Sequence, residues 1–296
     1  MKNFQLFKPE TLAEALQTLS EYPGDALPLA GGTDLIVDMR SKRISPKVLV
    51  DLSKISTLTS IKSYESFLWV GSMVTLHAVD QSKIIRQKCT MLSEGASVIG
   101  SRQIRNLATL GGNNCNAVPS ADTSPALMAA EATVVIQNLS GTRRLPIDKF
   151  FLGPRKKALN ADEIVTGFEI PVQSGKIGSI YRRNTVRKAL DLAKVGVAVQ
   201  VVIDPKTKVI QQIAIALGAV APTPIRAREA ENILTGNPIR EELLNTAAEL
   251  SAQASRPISD VRSNETYRKK MVQVLTKQCL VEAISRSEMP VSGGTQ

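Results

Sequence analysis

Two short stretches carry residue types suited to holding an anion: LAGGTDL, from Leu29 to Leu35, and TLGGNNCN, from Thr109 to Asn116. In the first, an apolar run through Leu29 stops at Ala30. Gly31 and Gly32 follow, then Thr33 and Asp34, and a helix-like pattern begins at Leu35. Glycine has no Cβ, so a ligand can approach the backbone closely. A strand–Gly–Gly–helix turn also sets the free N–H groups of a helix start beside that ligand, a nest for a phosphate or pyrophosphate. Thr33 adds a hydroxyl donor. The same residues fit a tight turn whose helix is capped by Thr33 or Asp34. The stretch is neither a GK[ST] phosphate loop nor a GxGxxG fingerprint. The second stretch reads as a loop holding Thr109, two glycines ending at Gly112, and the amides of Asn113, Asn114 and Asn116. Short polar side chains there can donate to phosphate oxygens. Asp122, slightly further on, can accept from a sugar-like hydroxyl or cap the next helix.

Other chemistry is poorly supplied. His77 is the single histidine, and it reads as a surface or capping residue. Cys89, Cys115 and Cys279 are scattered, with no CxxC, and read as reduced cytosolic thiols. A His/Cys zinc site, Ser-His or Cys-His catalysis, and a four-cysteine iron–sulfur cluster are all disfavoured. Chemistry on this chain falls to an organic cofactor. The net charge is +10, but the basic residues are dispersed and aromatics are 4% of the chain. That pattern argues against nucleic acid and suits an anionic cofactor or an acidic protein partner. No apolar run approaches the length of a membrane span, and the first residues lack a signal peptide's apolar centre. A cytoplasmic protein is expected.

The elements that must position these stretches read as follows. Thr11 and Glu14 form a T-x-x-E capping box opening a helix. A strand through Leu29, a helix from about Asp34 and the strand KVLVDLS make a βαβ unit. TSIKSYESFLWVGS reads as a hairpin, followed by helical pieces to about Gly100. DTSPALMAAEA reads as a helix with Asp122 at its N-cap. A hairpin (TVVIQNL, TRRLPI) and the strand DEIVTGFEIP follow. From about Lys176 three strands, then three helices, predict a separate α+β arrangement, with Val195, Val197, Val199 and Val201 on one face of the middle strand.

Taken in order, LAGGTDL, IRNLATLGGNNCNAVPSADTSPALMAAEATV, ALDLAKVGVAV and GAVAPTPIRAREAENILTG resemble the FAD-binding subunit of the xanthine dehydrogenase family of molybdenum hydroxylases. The resemblance covers nearly the whole chain. It implies an α+β protein. A two-lobed FAD-binding domain of the vanillyl-alcohol-oxidase (PCMH) type would span residues 1–172, with lobes of about 1–57 and 58–172. A C-terminal α+β domain over 173–290 would hold a three-stranded antiparallel sheet and three helices, with a mobile tail at 291–296. It implies that Leu29, Ala30, Gly31, Gly32, Thr33, Asp34 and Leu35 wrap the FAD pyrophosphate. Thr109, Gly112 and Asn113 would form the second binding loop, and Asp122 would bind the sugar-like part. Val165 would contact the flavin, and Arg183, where members often carry Lys, would stabilise the reduced, anionic ring. Ile99 stands where some relatives place an aromatic residue, so no stacking is expected there.

The implied activity is electron transfer. A partner subunit with [2Fe–2S] clusters and another with molybdopterin would oxidise a substrate, xanthine or a related purine being favoured. This chain would collect the electrons on FAD and pass them to an acceptor such as NAD. No residue of the chain is needed as a catalytic acid or base, and no metal site is expected on it. Two other readings fit the glycines: a non-redox phosphate-ligand protein, and a free-standing flavoprotein oxidase.

Overall fold

The computed structural model describes residues 2–187 and 189–288. The chain begins with a parallel three-stranded sheet. β1 (Gln5–Phe7) and β2 (Ala26–Leu29) flank β3 (Val48–Asp51), with α1 (Leu12–Glu21) and α2 (Leu35–Arg40) as connections. The Thr11 hydroxyl caps α1 by accepting from the Glu14 N–H at 3.2 Å, and the Glu14 carboxylate accepts from the Glu10 N–H at 2.9 Å. The apolar side of α1, Ala15, Leu16 and Leu19, packs on Ala26, Val48 and Val50. The βαβ unit is therefore present. β1 adds a strand of three residues, too short to show a period of two.

The central part is a five-stranded antiparallel sheet in the order β4-β5-β10-β6-β7. Its strands are β4 (Ile61–Ser63), β5 (Phe67–Gly71), β6 (Thr133–Asn138), β7 (Gly141–Pro146) and β10 (Ile164–Pro171); between the last two lie α9 (Ile147–Phe150), β8 (Phe151–Gly153) and β9 (Lys156–Lys157). Six helices are inserted after β5: α3 (Leu76–Gln81), α4 (Lys83–Lys88), α5 (Thr90–Ser97), α6 (Arg102–Leu107), α7 (Leu110–Cys115) and α8 (Thr123–Ala129). The second glycine stretch, expected as a loop, is thus largely the helix α7. Its glycines are not there for looseness. Gly111 lies against Ser72, where a Cβ would come within 2.6 Å of the serine Cβ, and Gly112 lies against Thr109.

The C-terminal part holds β11 (Lys176–Asn184), β12 (Val195–Ile203), β13 (Ile210–Gly218) and β14 (Ile225–Arg226) in one antiparallel sheet of that order. The sheet therefore has four strands, not three. β14 is two residues long and breaks at once into α10 (Arg228–Leu234), which hid it from a reading by alternation. α11 (Glu241–Ala254) and α12 (Glu265–Glu288) complete the layer. Val195, Val197, Val199 and Val201 share a core with Leu234, Leu244, Val272 and Leu280 of these helices. The opposite face, Tyr181, Ala198, Ala214 and Ala216, joins the central core beside Leu92, Ala126 and Phe168. The sheet is buried on both faces, and its small alanines let α8 pack onto it. The tail at 291–296 lies outside the described residues.

Candidate functional site

The turn after β2 is built by two glycines with different functions. A Cβ on Gly31 would overlap the carbonyl of Leu107, so Gly31 presses its bare side against the end of α6. Gly32 has φ +68°, the left-handed region that only glycine enters without strain. A Cβ on Gly32 would point at Leu29 and Ile36, 3.2 Å from each, and not into open space. Its bareness serves the bend. The result is a run of unfilled donors: the N–H groups of Gly31, Gly32, Thr33 and Asp34 bond to no acceptor among the described residues. Asp34 stands at the N-cap position of α2 but makes no side-chain cap bond. The capped-turn reading of this stretch is not what forms.

α7 closes on this turn from the other side. Its donors are used up internally. Leu110 N–H donates to the Val74 carbonyl, Gly111 N–H to the Ser72 carbonyl, and Gly112 N–H to the Thr109 hydroxyl at 3.0 Å. The second stretch is therefore no second nest. It offers side chains and a close approach: a Cβ on Gly112 would stand 3.6 Å from that of Ala30. The Asn113 carbonyl oxygen accepts from the Thr123 hydroxyl at 2.6 Å, which leaves the Asn113 NH2 group unused by protein among the described residues. Asn114 is fully buried and fully paired with Leu110, Thr123 and Ser124, a structural part.

The mouth of the turn is charged. The Asp34 carboxyl titrates above its ordinary value, first from the protein packed about it and then from Asp38, while Arg155 and a hydrogen bond from Asn116 pull the other way. Asp38 is held by Arg155 at 2.5 Å and Arg43 at 3.0 Å. The Arg155 N–H donates to the Ala117 carbonyl just after α7, so this arginine straps α2 to the far side of the turn. Asp38 and Arg155 escaped the sequence reading, since nothing near GPRKKAL signals a partner 117 positions away.

Asp122 is 5% exposed and makes no side-chain cap on α8. Its Oδ1 accepts from the Tyr181 hydroxyl at 2.7 Å and its Oδ2 from Arg183 Nη1 at 2.8 Å. Burial pushes its carboxyl up to about 6, against the opposing pull of Arg183 and Tyr181. Arg183 Nη1 also donates to the Asp191 carbonyl, and Arg183 Nη2 is buried with no partner. Val165 is buried in the central core beside a register shift between Val165 and Gly167, so its side chain does not join the turn. Ile99 packs at the edge of the same core.

The remaining reactive residue types stand apart. Burial pushes the thiols of Cys89 and Cys279 up to about 12 and that of Cys115 up to about 11, which removes thiolate chemistry at neutral pH. His77 lies half-buried in α3 with its Nδ1 unpartnered. No cluster of three or more His, Cys, Asp or Glu suited to a metal occurs among the described residues, and no helix among them is long and apolar enough to cross a membrane.

Known proteins resemble this chain in sequence and in fold. Residues 2–173 match the model of the FAD binding domain in molybdopterin dehydrogenase, and residues 180–283 that of the CO dehydrogenase flavoprotein C-terminal domain. The glyceraldehyde dehydrogenase medium chain of Sulfolobus acidocaldarius is 32% identical over 94% of this chain and 98% of its own length. The xanthine dehydrogenase FAD-binding subunit of Escherichia coli O157:H7 is 32% identical over 93% of this chain and 94% of its own. Among solved structures, carbon monoxide dehydrogenase from Hydrogenophaga pseudoflava superposes with a TM-score of 0.92 at 29% identity, covering 96% of this chain and 98% of that one. Quinoline 2-oxidoreductase from Pseudomonas putida 86 superposes at 0.89 with 28% identity, over 97% and 98% of the two chains.

Proposed function

Since the chain belongs to the FAD-binding medium subunits of the molybdenum hydroxylase family, we propose that it collects electrons from the [2Fe–2S] clusters of a partner subunit and passes them to an acceptor such as NAD. It is an oxidoreductase subunit and its cofactor is FAD. In the proposed complex a third subunit holds molybdopterin and oxidises the substrate. A purine such as xanthine is the substrate class we favour, on the Escherichia coli relative and on the NLATLGGNNCN and APTPIR stretches.

The residues fit the cofactor. The observation that carries the reading is the run of four free N–H groups from Gly31 to Asp34, a cradle for the two phosphates. On this reading Leu29, Ala30 and Leu35 would wall that cradle, and Thr33 would add its hydroxyl. The bare edge of Gly112 lies beside Ala30 of the turn, and on this reading the Asn113 NH2 group and the Thr109 hydroxyl would serve the cofactor from the same side. Asp122 keeps acceptor capacity for ribityl hydroxyls, and the orphaned Nη2 of Arg183 offers a donor for a ring oxygen. Val165 lends backbone and bulk rather than an exposed side chain. The bound flavin supplies the electron carrier, while the chain orients it and sets its electrostatic surroundings.

The test is purification of the full chain and of its complex. The full chain alone is expected to take up FAD and to leave it unbleached by xanthine. The complex is expected to contain a cluster-bearing and a molybdenum-bearing chain and to oxidise xanthine with a dye acceptor. Xanthine-dependent bleaching of the flavin in the single chain would favour a free-standing oxidase. Absence of FAD uptake would leave a phosphate-ligand protein. Activity with an aldehyde or nicotinate and not xanthine would replace the purine reading alone.

A further inference from the structure

The Asp122 carboxylate begins α8, yet both groups that hold it come from β11 in the C-terminal sheet. The register sets Tyr181 opposite Ala198 and Arg183 opposite Gly196, so the two side chains share one face of the sheet. β12 keeps room for the tyrosine: a Cβ on Gly196 would lie 2.6 Å from the Tyr181 oxygen. The phenol is 5% exposed, and burial together with the neighbouring Asp122 raises its pKa well above the ordinary value, so it stays a donor. Each carboxylate oxygen accepts two hydrogen bonds. Tyr181 and Arg183 each take one and leave one acceptor site on either oxygen. The buried Arg183 Nη2, without a partner, lies within the same cluster.

We propose that Tyr181 is a positioning residue of the cofactor site, its hydroxyl fixing the Asp122 carboxylate so that Asp122 and Arg183 Nη2 meet FAD together. The inference rests on the reading of Asp122 and Arg183 as cofactor-binding residues. It makes the C-terminal sheet part of the site and ties FAD affinity to the docking of that sheet.

The charged and titratable groups around this contact are few. β11 brings Tyr181 and Arg183. Glu94 of α5 accepts from the Tyr181 N–H at 2.7 Å and pairs with Arg286 of α12 at 2.7 Å. Cys279 of α12 acts on Tyr181, and Asp191 faces Arg183 through its carbonyl. Among these, the hydrogen bond from Tyr181 lowers the Asp122 pKa, so its removal raises it. FAD needs the carboxylate form, and its affinity falls as pH drops through that titration.

The test is titration of the full-length apo chain with FAD between pH 5 and 8, followed by flavin fluorescence, with melting of each apo form in parallel. Tyr181→Phe is expected to weaken FAD about twofold at neutral pH, since a carboxyl that titrates about one pH unit higher is about half protonated there. Its acid-side fall in affinity should lie about one pH unit higher than in the parent, the scale of that lost bond on the carboxyl titration. Asp122→Asn should show no acid-side fall. If Tyr181→Phe does not fold, Gly196→Ala, which displaces the same hydroxyl from β12, is expected to give the same shift. An acid-side fall left at the parent's position, whatever the loss of stability, would make Tyr181 purely structural and overturn the proposal. A parent chain that binds FAD with no acid-side fall would overturn it too. A parent chain that takes up no FAD would overturn the cofactor reading on which it rests.

Discussion

Gly31 and Gly32 are neighbours that fail in different ways when changed. Gly31→Ala puts a methyl into the Leu107 carbonyl, so the turn must part from α6. It is expected to cost about 1–3 kcal/mol of stability and to abolish FAD uptake. Gly32→Ala meets left-handed backbone instead, and should cost about 1–2 kcal/mol with a smaller loss of FAD affinity. Denaturant melts and FAD titrations on both variants check this split. Asp122 has an acid-linked signature of its own in the apo chain. Its folded pKa is about 6, above the ~4 of an unfolded aspartate, so the native state binds the extra proton between those values. The contribution of this group to stability is largest below pH ~4 and declines as pH rises to about 6. Asp122→Asn should remove that slope from a plot of apo stability against pH. The candidate turn was legible at this scale. A doubled glycine between a strand and a helix announces itself in seven residues. The partners of Asp122 did not, because Tyr181 and Arg183 lie 59 and 61 positions away and only the docking of β11 joins them.

At the scale of elements, the βαβ unit, the hairpins and the C-terminal helices were all readable from period and punctuation. The misses have two causes, brevity and glycine. β1 and β14 are too short to alternate, and α7 hides because two of its six residues are glycine, a poor helix former. Tertiary contact overrides that propensity, since Gly111 and Gly112 are where α7 touches Ser72 and the Ala30 turn. Gly111→Ala gains helix propensity yet is expected to destabilise by about 1–3 kcal/mol, with weaker FAD binding as α7 is pushed outward. A stabilised variant with unchanged affinity would contradict that packing account. The strap from α2 to the end of α7 behaves differently. Arg155 is half-exposed, so its bond to Asp38 contributes no more than about 1 kcal/mol to folding. Arg155→Met should therefore leave the melting point nearly unchanged while weakening FAD, because the far wall of the turn loosens. Equal losses in both measurements would refute that division of roles.

At the scale of the molecule, the C-terminal sheet is a layer shared by two cores, valines toward its own helices and alanines toward α8. Unfolding is expected to be a single transition, with far-ultraviolet dichroism and calorimetry coinciding. A fragment of residues 2–173 should be poorly soluble, because it would bare the surface of Leu92 and Ala126 that the sheet covers. Two separate transitions would show that the cores are independent. The shared layer also bears on recombination. Ala198 and Ala216 are fully buried, and Gly218 leaves no room for a Cβ beside Pro125, where it would come within 2.5 Å. A hybrid joining the first half of this chain to the second half of a relative would inherit two surfaces shaped apart from one another. One added methyl on either would hold them open. The two halves of this chain are thus expected to behave as a matched pair, and a hybrid is expected to melt below both of its parents.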